Sequence, residues 1–237
     1  MSLALAHKRR VLAQGPTVEA KPTPYSSTTA LASPANAQKH LKLMEAALAV
    51  DLERVSAINS REARQQLKRN ELLPKYQDYV TRYIDSGLNH ANPVLMQVMV
   101  WLFDTAQFEE GLGLARFAMS QCQVMPARFK RDIPTFVGDE FIEWAEAEYK
   151  AGRSPEPYLS DLLPWVDGEW TLYERIPARY HKLIGILAID TKEWAKAAYH
   201  FERAAELYPE IGVGTRLSGV RKALEKEQKD AAAPATE

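Results

Sequence analysis

Cysteine is almost absent from this 237-residue sequence. Cys122 is the only one, so the chain cannot form an internal disulfide, and a reducing compartment is favoured. Long hydrophobic runs are missing too, since none reaches the roughly 18 to 20 residues that a membrane-spanning helix needs. Both absences point away from disulfide-stabilised secreted proteins and from membrane-spanning proteins.

The motifs of several enzyme classes are also missing. No stretch matches the phosphate loop G-x-x-x-x-G-K-[ST], the zinc motif H-E-x-x-H or the nucleophile motif G-x-S-x-G. Asp139 and Glu143 share a helix face and could hold magnesium only with a third carboxylate. The sequence therefore predicts no catalytic residue, no bound metal and no cofactor. The five histidines lack metal-ligand spacing, and we expect each to be a surface or capping residue: His7, His40, His90, His181 and His200.

Charge is divided unevenly along the chain. Residues 1–75 contain 12 Lys and Arg against 6 Asp and Glu, whereas residues 76–237 contain 18 against 25, giving net charges of +6 and −7. A basic front part and an acidic back part suggest one end that faces a polyanion and another that faces protein.

The composition of residues 1–35 predicts a disordered arm, because it is rich in proline, serine and threonine. Three consecutive cations on this arm are candidate phosphate contacts, with a solvated tail as the alternative: Lys8, Arg9 and Arg10.

Residues 36–75 read as a DNA-binding and oligomerisation segment. A long helix from Asn36 to Ile58 carries apolar residues in a heptad pattern, which fits either self-association or packing within the chain. The residues of this pattern are Leu41, Met44, Leu48, Val55 and Ile58.

A basic helix is predicted to follow, with Asn59 and Glu62 as its capping box. A helix, a short break and a basic helix form the outline of a helix-turn-helix DNA reader, and a plain solvated face is the alternative. The candidate DNA contacts in this segment are Arg54, Arg61, Arg64, Lys68 and Arg69.

Residues 76–176 are predicted to form a central helical core. The stretch from Val94 to Met119 indicates a helical hairpin whose first arm is apolar nearly all round and therefore buried, with a turn at Asp104-Thr105. Gly111 and Gly113 would let another helix approach closely. A loop after Met125-Pro126 adds three further candidate DNA contacts, namely Arg128, Lys130 and Arg131.

Residues 177–229 are predicted to form a tetratricopeptide-like hairpin and a last helix. Residues 230–237 are predicted to be a disordered tail. The spacing from Asp104-Thr105 to Ala118 recurs 86 residues later, from Asp190-Thr191 to Ala204. One such unit has no neighbouring repeat to cover it, so aromatic residues on it are candidates for docking a partner: Trp194, Tyr199 and Tyr208. The predicted fold class of the chain is all-α.

Several ordered motifs resemble the small terminase subunit of temperate contractile-tailed bacteriophages. They are Lys68-Arg69-x-Glu71-Leu72-Leu73-Pro74, Leu95-Met96-x-Val98-Met99-x-Trp101-x-x-Asp104-Thr105, Ala115-Arg116-x-Ala118, and Met125-Pro126 before the basic loop. The similarity covers roughly residues 60–210.

The resemblance implies a non-catalytic subunit that recognises double-stranded viral DNA at the packaging site in the host bacterial cytoplasm. It also implies self-assembly as an oligomer or ring, and a separate large terminase subunit that carries the ATPase motor and packages the genome into the capsid. Members are often labelled endonuclease subunits, so a metal-dependent endonuclease is one alternative. A helical scaffold that binds only proteins is the other.

Overall fold

A computed structural model describes residues 34–232, and these residues form an all-α fold that contains no strand. The predicted helical class is confirmed, whereas the tetratricopeptide-like detail is not. Residues 1–33, with Lys8, Arg9 and Arg10, and residues 233–237 lie outside the described range. Within that range, no helix has the length and apolar character needed to cross a membrane.

The α-helices follow one another through short connections. They are α1 Pro34–Ala57, α2 Arg61–Leu67, α3 Leu73–Asp85, α4 Pro93–Asp104, α5 Phe108–Ser120, α6 Ile133–Lys150, α7 Tyr158–Pro164, α8 Arg175–Asp190, α9 Trp194–Leu207 and α10 Gly214–Ala232. A π-helical turn, Lys68–Leu72, joins α2 to α3, a second one, Trp165–Glu169, follows α7, and a 3-10 turn, Pro209–Ile211, precedes α10.

Helix α4 is the centre of the main core. All ten residues from Val94 to Phe103 are buried, which confirms the prediction of a buried first arm. The helix starts at Asn92, whose side chain accepts a hydrogen bond from the Leu95 amide at 3.1 Å and donates to the Tyr79 hydroxyl at 3.0 Å. Trp101 lies wholly inside and meets the Tyr76 ring at a centroid distance of 5.8 Å.

The spacing that recurs after 86 residues in the sequence corresponds to the same turn geometry at two places in the structure. After α4, the Thr105 hydroxyl donates to a carbonyl of the last helical turn, and Ala106 takes a φ of 57°. After α8, Thr191 donates in the same way, and Lys192 takes a φ of 61°. The repeated Asp-Thr pair therefore marks two helical hairpins, α4–α5 and α8–α9.

Helices pack closely at two glycines, of which the sequence predicted Gly111. A Cβ atom on Gly185 would lie 2.8 Å from the Phe201 ring, so α8 and α9 touch at this point. A Cβ atom on Gly111 would lie 3.1 Å from the Phe103 ring. Gly113 differs, because a Cβ atom there would meet nothing within 4 Å, so this glycine serves no close approach.

Two apolar clusters make up the interior, and α8 belongs to both. Tyr180, Leu183 and Ile184 of α8 lie in the main cluster around α4. Ala178 and Ala188 lie in a smaller C-terminal cluster with α9 and the start of α10. The segment boundary predicted at Pro177 thus falls inside a helix that packs on both sides.

The apolar face of α1 packs on the body of the same chain. Leu48 is buried with 6% exposure, and Leu41, Met44 and Val55 pack partly buried against the main cluster. This is the intramolecular alternative foreseen for the heptad pattern, and Ile58, the last residue of that pattern, is half-buried. Oligomerisation itself stays a prediction.

Two helix starts differ from the sequence prediction because of capping. The cap of α2 is Ser60 rather than Asn59, since the Ser60 hydroxyl accepts from the Ala63 amide at 3.3 Å. Helix α6 begins at Ile133, because the Asp132 carboxylate, a cap that the sequence did not predict, accepts from the Thr135 amide at 2.9 Å. The proline after Ile133 fits the first turn of a helix, where no amide donor is needed.

Asp51 fixes α1 to the start of α3. Its side chain is 2% exposed and accepts hydrogen bonds from Lys75 at 2.6 Å, Tyr76 at 2.7 Å and Arg54 at 3.0 Å. Burial alone would raise the pKa of Asp51, but these hydrogen bonds outweigh burial and hold the pKa below its usual range. Asp51 stands at a position of the heptad pattern where an apolar residue would be usual. This charged residue therefore anchors α1 to α3.

We expect Asp51→Asn to lower the free energy of unfolding by about 2 kcal/mol at pH 7, because it takes the charged acceptor away from the buried Tyr76 hydroxyl and from the half-exposed cations Lys75 and Arg54. The pKa of Asp51 is lower in the folded state than its unfolded value of about 4, so this stabilisation is present above that value and is lost as pH falls through the folded pKa. Urea denaturation of both proteins between pH 7 and pH 3 measures the difference.

The matched control is Glu53→Gln, an exposed carboxylate on the same helix. It should change stability by less than about 0.5 kcal/mol. A difference between wild type and Asp51→Asn that stayed constant down to pH 3 would contradict the assigned ionisation.

Candidate nucleic-acid interface

The two predicted basic clusters, which lie about sixty residues apart in sequence, both make contacts with α4. From the π-helical turn, Lys68 reaches the Asp104 carboxylate at 2.6 Å. From the loop before α6, Arg128 donates to the side-chain oxygen of Gln97 at 2.5 Å. Gln97 and Asp104 are two helical turns apart on one face of α4. We call the combined set the basic surface: Arg61, Arg64, Lys68, Arg69, Arg128, Lys130 and Arg131.

Cations from the π-helical turn also satisfy the end of α4. The Arg69 guanidinium donates to the Thr105 carbonyl at 2.5 Å, and the Gln65 amide donates to the Asp104 carbonyl at 2.9 Å. The last carbonyls of a helix have no partner within the helix, and positive charge is favoured there. Lys68 and Arg69 therefore have a structural role, which the sequence did not reveal.

The basic loop is fixed at both of its ends. Arg131 makes ion pairs with Asp139 at 2.5 Å and Glu140 at 2.9 Å, both on α6. Burial lowers the pKa of Arg128, while the nearby Asp104 carboxylate opposes this shift. The loop is thus held to α4 by Arg128 and to α6 by Arg131.

The cations that were predicted to contact DNA thus differ in whether a carboxylate of the same chain already neutralises their charge. Arg54 pairs with Asp51 and with Glu71 at 2.8 Å, and Lys68 and Arg131 also pair with carboxylates. Arg69 and Arg128 bind neutral oxygens, so their charges are not neutralised. Among residues 34–232, three members of the basic surface make neither an ion pair nor a side-chain hydrogen bond: Arg61, Arg64 and Lys130.

Arg64 also has a hydrogen-bond donor without an acceptor. Its Nε atom is enclosed by protein but has no hydrogen-bond partner within the described part of the chain. The side chain is half-buried and lies one helical turn before Lys68 on the same face of the basic helix. Such a guanidinium still has its terminal nitrogens available for an anion from outside.

Of the two carboxylates considered for magnesium, Asp139 is held by guanidinium groups. Asp139 accepts from Arg131 through one oxygen and from Arg179 through the other at 3.1 Å, and Arg179 also binds Glu146. Burial raises the pKa of Glu140, although its bond to Arg131 opposes the shift. In the part of the chain that the structure describes, no three His, Cys, Asp or Glu residues are grouped to hold a metal ion.

The three aromatic residues predicted to dock a partner have different surroundings. Tyr199 is 60% exposed on the outer side of α9. Trp194 packs partly buried against the C-terminal cluster, and the Tyr208 hydroxyl donates to Glu210 at 3.0 Å. Tyr199 is therefore the one of the three whose ring faces solvent.

A buried polar cluster beneath Tyr199 was missed by the sequence. His181 contacts the His200 ring nitrogen at 2.9 Å and the Asp167 carboxylate at 3.0 Å, and Arg203 binds both oxygens of Asp167 at 2.9 Å. Burial, together with the neighbouring His181, lowers the pKa of His200 to about 4. The rings are then neutral at pH 7, with His200 donating to His181 and His181 donating to Asp167.

The prediction that the histidines lie at the surface or in caps is wrong for three of them. His40, His181 and His200 are buried. The signal for His181 was present, because it stands within the apolar run of α8, but its partners Asp167 and His200 are 14 and 19 residues away. Together these contacts fix the α8–α9 hairpin to the π-helical turn after α7.

Comparisons with known proteins agree on one family. The sequence model of a family described as phage small terminase subunit matches residues 45–175. The "Probable terminase, endonuclease subunit" of Haemophilus phage HP1 is 32% identical over 190 residues, which cover 78% of this chain and 68% of the relative. The "Terminase, endonuclease subunit" of Escherichia phage P2 is 28% identical over 177 residues, which cover 75% and 71%. No solved structure matches the chain.

Proposed function

Because the chain belongs to the phage small terminase subunit family, we propose that it binds double-stranded viral DNA at the packaging site and passes it to the large terminase subunit. The observation that carries this proposal is the convergence of two basic clusters on α4. This convergence creates a surface with more positive charge than its own carboxylates neutralise. The setting is the host bacterial cytoplasm, where the genome is packaged into the capsid.

Arg61, Arg64 and Lys130 are the main proposed phosphate contacts. Their charges have no carboxylate partner among residues 34–232, so binding DNA does not require an existing ion pair to break. Arg69 and Arg128 can contribute as well, since they bind only neutral oxygens. We expect a smaller contribution to DNA binding from the cations that are already paired with a carboxylate, namely Lys68, Arg131 and Arg54. Lys8, Arg9 and Arg10 remain candidates on the arm.

We expect the triple variant Arg61→Gln, Arg64→Gln, Lys130→Gln to bind DNA more weakly and with less salt dependence. Each neutralised phosphate releases condensed counterions, which contributes about 0.9 to the slope of log affinity against log salt concentration. Loss of three contacts should lower that slope by about 3. Fluorescence anisotropy with duplex DNA from the phage packaging site, measured from 50 to 300 mM salt, gives the slope.

The matched control carries the same loss of charge elsewhere: Lys192→Gln, Lys222→Gln and Lys226→Gln, on exposed positions between α8 and the end of α10. Its slope should equal that of the wild type. Equal slopes for the two triple variants, with both proteins folded, would show that the basic surface is only a solvated face. Binding to protein alone, with no retention of DNA at any salt concentration, would favour a helical scaffold.

Docking of the large subunit is proposed for the C-terminal unit, with the exposed ring of Tyr199 as its anchor. Aromatic residues contribute a large share of interface energy when a partner covers them. The back part of the chain is acidic, so a protein partner suits it better than DNA. Trp194 and Tyr208 are secondary candidates for this surface, because both are partly buried.

We expect Tyr199→Ala to weaken binding to the purified large subunit at least about tenfold, as loss of an interface hot spot does. Tyr173→Ala is the control, since Tyr173 is more exposed still but precedes α8. Isothermal titration calorimetry measures both affinities. If both variants bind like the wild type, the large subunit docks elsewhere.

A metal-dependent endonuclease is the second candidate function, because both named relatives are called endonuclease subunits. In this chain, guanidinium groups engage both oxygens of Asp139, where magnesium would have to bind. We therefore expect the purified chain to leave supercoiled plasmid uncut with magnesium and to hydrolyse no ATP. Magnesium-dependent cleavage that disappears in a folded Asp139→Ala variant would establish the nuclease instead.

Self-association is also part of the proposed function, as an oligomer or ring. Since the heptad face of α1 packs inside the chain, the surface available on this helix is its outer side. Leu43 and Val50 lie there, seven residues apart, with 56% and 59% exposure. They form a stripe that a second copy could cover.

A further inference from the structure

An apolar groove lies between α3, α4 and α5. Its volume is about 320 Å³. Polar side chains, including Gln77, Thr81 and Glu110, stand at its rim. The principal apolar side chains that line it are Leu73, Val80, Ile84, Leu102, Leu114 and Phe117.

Gly113 explains why the groove is open. It lies on α5 among the lining residues, and a Cβ atom built on it would meet nothing within 4 Å. A glycine inside a helix loses more backbone entropy on folding than any other residue. No close helix contact within the described part of the chain compensates for this cost at Gly113, in contrast to Gly111 and Gly185.

We propose that residues 1–15 of the same chain fill this groove with their apolar side chains. These residues include the apolar Leu3, Leu5, Val11 and Leu12. Burying apolar surface is favourable at roughly 25 cal/mol per Å², and a concave apolar site offers such burial. The proposal concerns a contact within one chain and does not depend on DNA binding.

Charge complementarity supports this occupant. Lys8, Arg9 and Arg10 stand between the two apolar pairs of the segment. Glu110 lines the groove and Glu109 precedes it in the first turn of α5, and neither has a cation partner among residues 34–232. A basic segment with apolar residues on both sides therefore matches an apolar groove with one glutamate, Glu110, on its rim and a second, Glu109, next to it in sequence.

The chain is long enough to reach the groove. Residues 16–33 connect the segment to the start of α1 at Pro34, and 18 residues span up to about 60 Å when extended. A domain of about 200 residues has a radius of gyration of only about 16 Å. A tethered segment also has an effective concentration on the order of millimolar, which gives it an advantage over a separate protein.

The single cysteine provides a reporter for the test. Cys122 is exposed and follows Phe117 of the groove by five residues, or about 8 Å along a helix axis. A nitroxide attached to Cys122 of the full-length chain should broaden the amide resonances of residues 3–15. Gly113→Leu, which places a side chain in the groove, should abolish this broadening without lowering the melting temperature.

Gly219→Leu is the control, because Gly219 on α10 also has nothing within 4 Å of a built Cβ atom. It should leave the broadening unchanged. No broadening in the wild type would overturn the proposal, as would broadening that persists in a folded Gly113→Leu variant. A mixture of isotope-labelled Cys122→Ser chain with unlabelled nitroxide-bearing chain identifies the source. Broadening in this mixture would assign the groove to a second copy and also overturn the proposal.

Discussion

Complete burial of α4 is the constraint on which the rest of the structure depends. A helix enclosed on every side must place its polar groups and its free end against partners within the protein. Asn92 caps its start, Arg128 binds the buried Gln97 at its middle, and Gln65, Lys68 and Arg69 cover its end. The chain supplies these partners from two segments far apart in sequence. The basic surface therefore forms because the buried polar groups and the end of α4 need hydrogen-bond partners.

This origin divides the cations of the surface into two kinds. Lys68 and Arg69 complete the end of α4, and their loss would expose unpaired groups inside the protein. Arg61, Arg64 and Lys130 have no such duty among the described residues. Both kinds look alike in a sequence, where each is a lysine or arginine on a basic helix or loop. Only the contact partners separate a structural cation from one that is available to a ligand.

The sequence predicted the local features of the fold well. Unbroken apolar residues predicted a buried α4, and the repeated Asp-Thr spacing indicated two hairpins, because helical periodicity and turn chemistry are local properties. Long-range pairings were not predictable. Lys68 and Asp104 are 36 residues apart, and neither residue type specifies the other. Caps were misjudged by one residue at Ser60 and overlooked at Asp132, because serine, asparagine and aspartate suit that position equally.

The position of α8 in both apolar clusters limits how the molecule can open locally. Proteins exchange their amide hydrogens through cooperative units that unfold one at a time. We expect helices α9 and α10 to form such a unit around Phe201. Its opening would break the contacts of His200 and Arg203 with His181 and Asp167 but leave the main core intact. The opening has to stop at α8, since Tyr180 and Ile184 remain buried against the core around α4. Helices α9 and α10 are thus a cap on a helix that the main core keeps folded.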